Sequence, residues 1–363
     1  MKTAFKAIIL LSFLLQASLC AAQETTIKKG KKYIGATELT LGGKLFPDTP
    51  DPYCRMDFGK HGGFNATETE RLKKSSGIYV TFNTNSTSIS VMAEYRSEKD
   101  NLHNAYNAEG FDCYIKKDGR WLWAGCGIPD GKEGPFNVVE NMDRSQKECL
   151  LYFPLYSELE SVRIGVDERA DISAGDKPFR YRIGVYGSSY THGGYVSRPG
   201  LTYPARLARK TGLDFLSLGV SGVCRFQPAF LEALKDSDVD AYLFDTFSNG
   251  GKVSTDLLPF IEELSKAKPG VPLIFMNSIR LEKGNFDIKA AEGDEYKFKA
   301  IDERMAEAVR KYPDVYFISP VTVSDDDHET SVDGVHPGDY GIMLWVESVE
   351  KPLRKILRRY GIR

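Results

Sequence analysis

The sequence predicts two domains of different class: an all-β sandwich of the jelly-roll type, then an α/β domain on a mainly parallel sheet with helices on both faces. Three observations carry this. From residue 23 to about 172, short β-type runs recur with turn residues between them. After a small, polar stretch at 167–178, strand and helix periods alternate to the end of the chain. The residues best suited to chemistry then fall just after those strands or in the final loop, where open α/β sheets place their sites.

The chain starts with basic Lys2 and Lys6, an apolar run at 7–15 and small residues up to Ala22. That order reads as a secretory signal peptide at 1–22, and the apolar run is too short to span a membrane. Cys20 raises lipoprotein anchoring as an alternative, but Leu19 stands where such signals want a small residue. The expectation is therefore a secreted or periplasmic protein, with an N-terminal domain at 23–178 and a second at 179–363. In the first domain, runs at 77–82, 88–95, 111–116, 121–124, 148–153 and 161–166 read as strands. No helix of convincing length is read there, and the sequons at Asn65 and Asn85 are read as chance. In the second domain, strands are expected at 182–186, 215–218, 241–245, 273–277 and 315–318. Helices are expected near 201–211, 227–235, 254–267, 294–312 and 338–359.

Composition removes several classes of function. With 363 residues, 42% hydrophobic and 27% charged, the chain is long enough for two cores. A net charge of −2 gives no electrostatic case for nucleic acid or an anionic membrane. Beyond Cys20 there remain Cys54, Cys113, Cys126, Cys149 and Cys224, an odd number that leaves at least one thiol free. A disulfide among the first four stays open. No Cys/His cluster with zinc spacing is present, so no metal or cofactor is expected.

The run Val185-Tyr186-Gly187-Ser188-Ser189-Tyr190-Thr191-His192-Gly193 leads from a strand through a Gly/Ser turn towards a helix. This mount lifts a serine hydroxyl clear of the sheet edge, making Ser189 the candidate nucleophile. A serine needs a base and a sink for the oxyanion. His61, His103, His192, His328 and His336 are available. His336 has the best setting, because Asp333 stands three residues before it and can fix the imidazole tautomer. A capping Asp beside a surface His is the plainer reading of that pair. His192 shares the tight turn of Ser189 and has no acid near it, and His328 sits in an acidic, solvated run. Gly222 and Asn249 each follow a strand and could present N–H donors, or could simply be turn residues.

Taken in order, Gly187-x-Ser189, Gly222, Asn249 and Asp333-x-x-His336 resemble the Ser, Gly, Asn and His blocks of the SGNH (GDSL-type) hydrolases over about 180–363. The resemblance implies a flavodoxin-like three-layer sandwich. It implies Ser189 as nucleophile, His336 as base and then acid, and Asp333 as its orienter. The oxyanion hole would be Ser189 N–H, Gly222 N–H and the Asn249 amide. Two blocks depart from the pattern: the first reads Gly-Ser-Ser-Tyr rather than Gly-Asp-Ser-Leu, and the third reads Phe-Ser-Asn-Gly. Gly110-Phe111-Asp112-Cys113-Tyr114, with 121–125, is similar to the Gly-x-Asp-Leu-Tyr domain that precedes a bacterial subgroup of these enzymes.

Members of that subgroup are commonly carbohydrate esterases. The resemblance thus implies an exported serine esterase that removes acetyl groups from a glycan or oligosaccharide. A lipid esterase or lysophospholipase, an O-acetyltransferase and a catalytically idle glycan-binding protein are the alternatives. Tyr106, Tyr114, Trp121 and Trp123 offer flat faces for a sugar, or else fill the sandwich core. The sandwich is expected to pack beside the cleft and shape its entrance.

Overall fold

The computed structural model describes residues 25–96, 102–129, 134–249, 253–324 and 326–363. The leader expected at 1–22, with Cys20, lies outside the described residues. Among those described, the N-terminal half folds into eleven strands. They are β1 (Thr26–Lys28), β2 (Lys31–Gly35), β3 (Thr40–Gly42), β4 (Tyr79–Thr84), β5 (Ile89–Tyr95), β6 (Phe111–Lys117), β7 (Arg120–Gly127), β8 (Phe136–Val139), β9 (Lys147–Tyr152), β10 (Leu159–Asp167) and β11 (Ile172–Ala174). Two antiparallel sheets result, ordered β1-β2-β10-β5-β8 and β11-β4-β9-β6-β7, with β3 added to β4. Val80, Phe82, Phe111, Leu151, Val162 and Ile164 interleave between them. The second sheet is covered on its other face too, where Tyr79, Tyr114, Leu150 and Tyr152 join the core of the next domain. A strand buried on both faces has no solvent side to mark with polar residues, which is why the run at 77–82 alternates only loosely.

One expectation fails here. Helix α1 (Ala66–Lys73) stands where no helix was read. Asn65 caps it: Asn65 Oδ1 accepts the Glu68 N–H at 2.9 Å, and Glu68 Oε2 accepts the Asn65 N–H at 2.9 Å. This reciprocal pair is a capping box, and it supplies what a short helix lacks in length. A second short helix, α2 (Ala105–Ala108), leads into β6.

The C-terminal half carries β12 (Arg180–Gly187), β13 (Leu213–Gly219), β14 (Ala241–Asp245), β15 (Leu273–Met276) and β16 (Val315–Ile318). They are parallel, in the order β13-β12-β14-β15-β16. The first strand thus lies between the second and third, the flavodoxin-like order. Helix α3 (Ser189–His192) follows β12 directly. Helices α4 (Tyr203–Thr211) and α8 (Asp339–Leu357) cover one face of the sheet. Helices α5 (Pro228–Asp236), α6 (Val253–Ala267) and α7 (Ile288–Lys311) cover the other. Among the described residues no helix is long and apolar enough to cross a membrane. The five described cysteines are all free thiols.

The Gly-x-Asp-x-Tyr stretch joins the two halves. Asp112, fully buried on β6, accepts the Gly200 N–H at 2.8 Å and two contacts from Arg198 Nη1 at 2.7 and 3.0 Å. Arg198 Nη1 also donates to Tyr114 Oη at 2.7 Å. A Cβ on Gly200 would come within 2.4 Å of the Tyr114 ring, so only glycine permits this approach. Trp123 donates its indole N–H to Asp112 at 3.0 Å and remains 55% exposed. Trp121 packs partly buried against the core shared by the two domains. Neither tryptophan fills the sandwich core, because the face they share looks towards the second domain.

Arg55 makes the deepest link. Its buried guanidinium donates from Nε to Lys74 O at 2.7 Å, from Nη2 to Arg71 O at 2.5 Å, and from Nη1 to Gly219 O at 2.8 Å. It thereby caps the carbonyl ends of both α1 and β13. Burial pushes its pKa down to about 10, which leaves it charged at neutral pH. Arg55→Met keeps the volume but strands these carbonyls. We expect a loss of about 3–5 kcal/mol in urea unfolding. A midpoint unchanged from wild type would show that the link contributes nothing.

Candidate active site

Three loops at the carboxyl ends of β12, β13 and β14 meet the segment before α8. Ser188 follows β12 in an extended conformation and caps α3, its Oγ accepting the Tyr190 N–H at 3.1 Å. This places Ser189 at the first position of the helix. Ser189 Oγ lies 2.9 Å from His336 Nε2, and His336 Nδ1 lies 2.8 Å from Asp333 Oδ2. The second oxygen, Asp333 Oδ1, accepts the backbone N–H groups of Val335 at 3.0 Å and His336 at 2.7 Å. One carboxylate therefore shapes the turn and orients the ring. Partial burial pushes Asp333 up, but the His336 and Val335 donors outweigh it and hold the carboxyl below its ordinary range. With Asp333 ionised, Nδ1 carries the proton and Nε2 is free to accept one. Asp333 is not a helix cap: α8 begins only at Asp339, behind Gly338. Tyr190 OH donates to Val335 O at 3.0 Å, so α3 holds the histidine loop in place.

Gly222 and Asn249 lie against the same space. Gly222 has φ +76°, and an added Cβ would meet nothing within 4 Å. Glycine is needed there for the left-handed backbone, not for room. The N–H groups on either side of it are engaged within the protein: Ser221 N–H with His192 Nδ1 at 3.4 Å, and Val223 N–H with Val220 O at 3.3 Å. Asn249 Oδ1 accepts the Cys224 N–H at 3.1 Å, which orients the amide and leaves its NH2 as the free end. Ser189, Gly222, Asn249 and His336 all line one cavity of about 310 Å3.

The N-terminal domain completes the wall. Arg71, His103 and Tyr156 line the cavity beside Tyr190 and Tyr195. No motif marked them, since they sit at the end of a short helix and in segments between strands. The aromatics singled out in the sequence lie elsewhere: Tyr114 is buried at the domain junction, and Tyr106, Trp121 and Trp123 do not line this cavity.

The remaining histidines have other surroundings. His192 is fully buried, its Nε2 2.8 Å from Leu155 O, while its ring stacks on Tyr156 with centroids 4.3 Å apart. Burial, assisted by the charge of Arg55, pushes its pKa well below the ordinary imidazole value. The neutral ring donates from Nε2 to Leu155 and accepts at Nδ1 from Ser221, bridging the sandwich to the Gly222 loop. His328 faces Glu282 at 2.7 Å, outside the cavity. Among the described residues no group of three or more His, Cys, Asp or Glu could hold a metal.

A five-stranded parallel sheet in this order, with Ser, Gly, Asn and His at its carboxyl edge, defines the SGNH type of hydrolase. The chain belongs to the GDSL-like lipase/acylhydrolase family, whose model matches residues 180–354, while residues 31–172 match the GxDLY N-terminus of SGNH-hydrolase-type esterases. It is similar to a GDSL-like lipase from Bacteroides ovatus at 36% identity, over 90% of this chain and 98% of that one, with a TM-score of 0.87. The salicylyl-acyltransferase SsfX3 of a tetracycline biosynthetic pathway shares the fold at 18% identity and TM-score 0.62 over 94% of each chain. A family two carbohydrate esterase from Clostridium thermocellum, in complex with cellohexaose, shares it at 14% identity and TM-score 0.55, over 78% of this chain and 93% of that one. No functionally curated protein matches the chain.

The bridging role of His192 has a measurable consequence. His192→Phe can retain the stack on Tyr156 but strands Leu155 O and the Ser221 N–H. We expect a stability loss of about 2–4 kcal/mol in chemical denaturation. A variant as stable as wild type would remove His192 from the list of domain links.

Proposed function

We propose that this protein is a serine esterase that removes O-acetyl groups from a glycan through an acyl-serine intermediate. The observation that carries the reading is the Asp333–His336–Ser189 chain of hydrogen bonds, 2.8 and 2.9 Å long, opening on a cavity lined by Gly222 and Asn249. His336 Nε2 takes the Ser189 proton as Oγ attacks the ester carbonyl carbon. The carbonyl π pair moves onto oxygen, which faces Ser189 N–H, Gly222 N–H and the Asn249 NH2. Collapse of this intermediate breaks the bond to the sugar oxygen, and His336 returns the proton to that oxygen. Water then gives a proton to His336 and attacks the acetyl-serine; acetate leaves and Ser189 regains its hydrogen.

The cavity supports a small acyl group on a hydroxylated carrier. Its volume lies at the lower end of the range for ligand pockets. Arg71, His103, Ser221, Ser248 and Asn249 place polar groups in its wall, and Tyr156 and Tyr195 give aromatic surface. A long fatty chain would need an apolar tunnel, and among the described residues Leu102 and Val335 are the only aliphatic side chains in this wall. The same fold carries carbohydrate esterase activity in the Clostridium thermocellum protein.

The test is acetate release from a panel of acetylated polysaccharides. Release from none of them, with turnover of long-chain esters, would replace the glycan reading with a lipid one. Turnover that required an added acceptor would make the protein an acyltransferase.

Substitutions test the roles separately. Ser189→Ala should lower kcat by about 10³-fold or more, and a variant retaining over about a tenth of the rate would remove Ser189 as nucleophile. His336→Ala should be nearly as damaging, and the two losses should not add, because both residues serve one step. Asn249→Ala should lower kcat by about 10²–10³ with KM little changed. A change in KM alone would place Asn249 in substrate binding.

A further inference from the structure

The first sequence block lacks the acidic residue of the Gly-Asp-Ser-Leu pattern, with Ser188 in its place. A carboxylate nevertheless stands beside it. Asp245 ends β14, the strand next to β12, and is only 2% exposed. Its Oδ2 accepts Ser188 Oγ at 2.8 Å, Thr191 Oγ1 at 3.0 Å and the Ser188 N–H at 3.2 Å. Its Oδ1 accepts Ser248 Oγ at 3.1 Å. Its backbone carbonyl takes the Ser188 N–H at 3.1 Å. Thr191 Oγ1 is met in turn by Tyr203 OH at 2.6 Å.

The two oxygens thus serve two different loops. One holds the residues on either side of Ser189, and the other holds the residue before Asn249. A carboxylate enclosed in this way is worth keeping only if its acceptors are filled, and three hydroxyls fill them. Burial pushes its pKa up to about 6, which leaves the anion in place at neutral pH. The hydroxyls donate to it, so their own lone pairs are aimed outward: Ser188 Oγ at the Tyr190 N–H, and Thr191 Oγ1 at Tyr203.

We infer that Asp245 is the motif's missing aspartate moved to the neighbouring strand, a positioning residue that holds the Ser189 turn and the Asn249 loop in one register. This rests on the reading of Ser189 and Asn249 given above. It makes positions 188 and 245 a matched pair that needs one carboxylate and one hydroxyl. Exchanging them conserves the volume of the pair, and an aspartate at 188 retains the helix cap.

The test is the reciprocal exchange in the full-length protein. The readout is the rate at which a fluorophosphonate labels Ser189, which requires a placed and activated serine but no particular ester. Ser189→Ala sets the unlabelled baseline, and circular dichroism melting reports folding. Asp245→Ser leaves no carboxylate and Ser188→Asp places two in contact. Each should slow labelling by about 10²-fold, the cost of displacing a reacting group by a fraction of its working distance. Ser188→Asp/Asp245→Ser should recover to within about tenfold of wild type. Asp245→Asn, which keeps the shape but loses the second acceptor, should slow labelling while the melting curve is retained. The inference is overturned if the double variant is no faster than the slower single one, or if Asp245→Asn labels at the wild-type rate. If the single variants fail to fold, recovery of both fold and labelling in the double variant still supports it, and failure of both overturns it. A wild-type protein that labels but turns over no acetate ester refutes the function proposed above and leaves the exchange result standing. A wild-type protein that does not label removes Ser189 as nucleophile and this inference with it.

Discussion

A guanidinium with no carboxylate beside it among the described residues governs how the two halves meet. Arg55 remains charged in a place that water does not reach, so its donors must find backbone oxygen. It finds carbonyl oxygens at the ends of α1 and of β13, which accept its N–H groups. The choice of ends matters. Gly219 closes β13 three residues before Gly222, and Arg71 lies in the last turn of α1 at the cavity wall. One buried cation therefore sets the distance between the loop on one side of the cavity and the helix on the other. Moving either end would strand a charge, which costs far more than a surface contact returns.

Around that fixed point the links repeat a theme. Asp112 receives Arg198 and Gly200, His192 joins Leu155 to Ser221, and Asn107 donates to Gly193 O and Val196 O at 2.8 and 2.7 Å. In each case a buried polar group of one half satisfies a backbone group of the other. Apolar contact alone would let two surfaces slide, whereas directional bonds of this kind fix a single register. The aromatic face of the second sheet supplies the area, and these bonds supply the alignment.

Much of this was legible in the sequence, for physical reasons. The five parallel strands were found within a few residues because buried strands read as short apolar runs bounded by turns. Ser189, Asp333 and His336 stood out because their chemistry needs those types near strand ends, and the structure brings them within hydrogen-bond distance. What was missed has no local signature. Helix α1 is too short for a period to show and is held by its cap. Arg71, His103 and Tyr156 reach the cavity only because the domains dock. Asp245 looks like an ordinary strand end until the neighbouring strand places Ser188 against it. Alternation tells which residues share a face but not what that face meets, so the sequence leaves Trp121 and Trp123 open between a sugar and the sandwich core.

The cavity wall is drawn from two separately encoded stretches of chain. Residues 71–156 supply Arg71, His103 and Tyr156, while 189–336 supply the serine, the glycine, the amide and the imidazole. The Asp333–His336–Ser189 chain itself lies wholly in the second stretch, so a change of the Arg71 or His103 side chain alters the cavity wall without removing any member of it. Reaction and selectivity thereby become separable traits, free to drift at different rates. A lineage carrying this architecture could diversify across substrates by altering the far side of its own doorway.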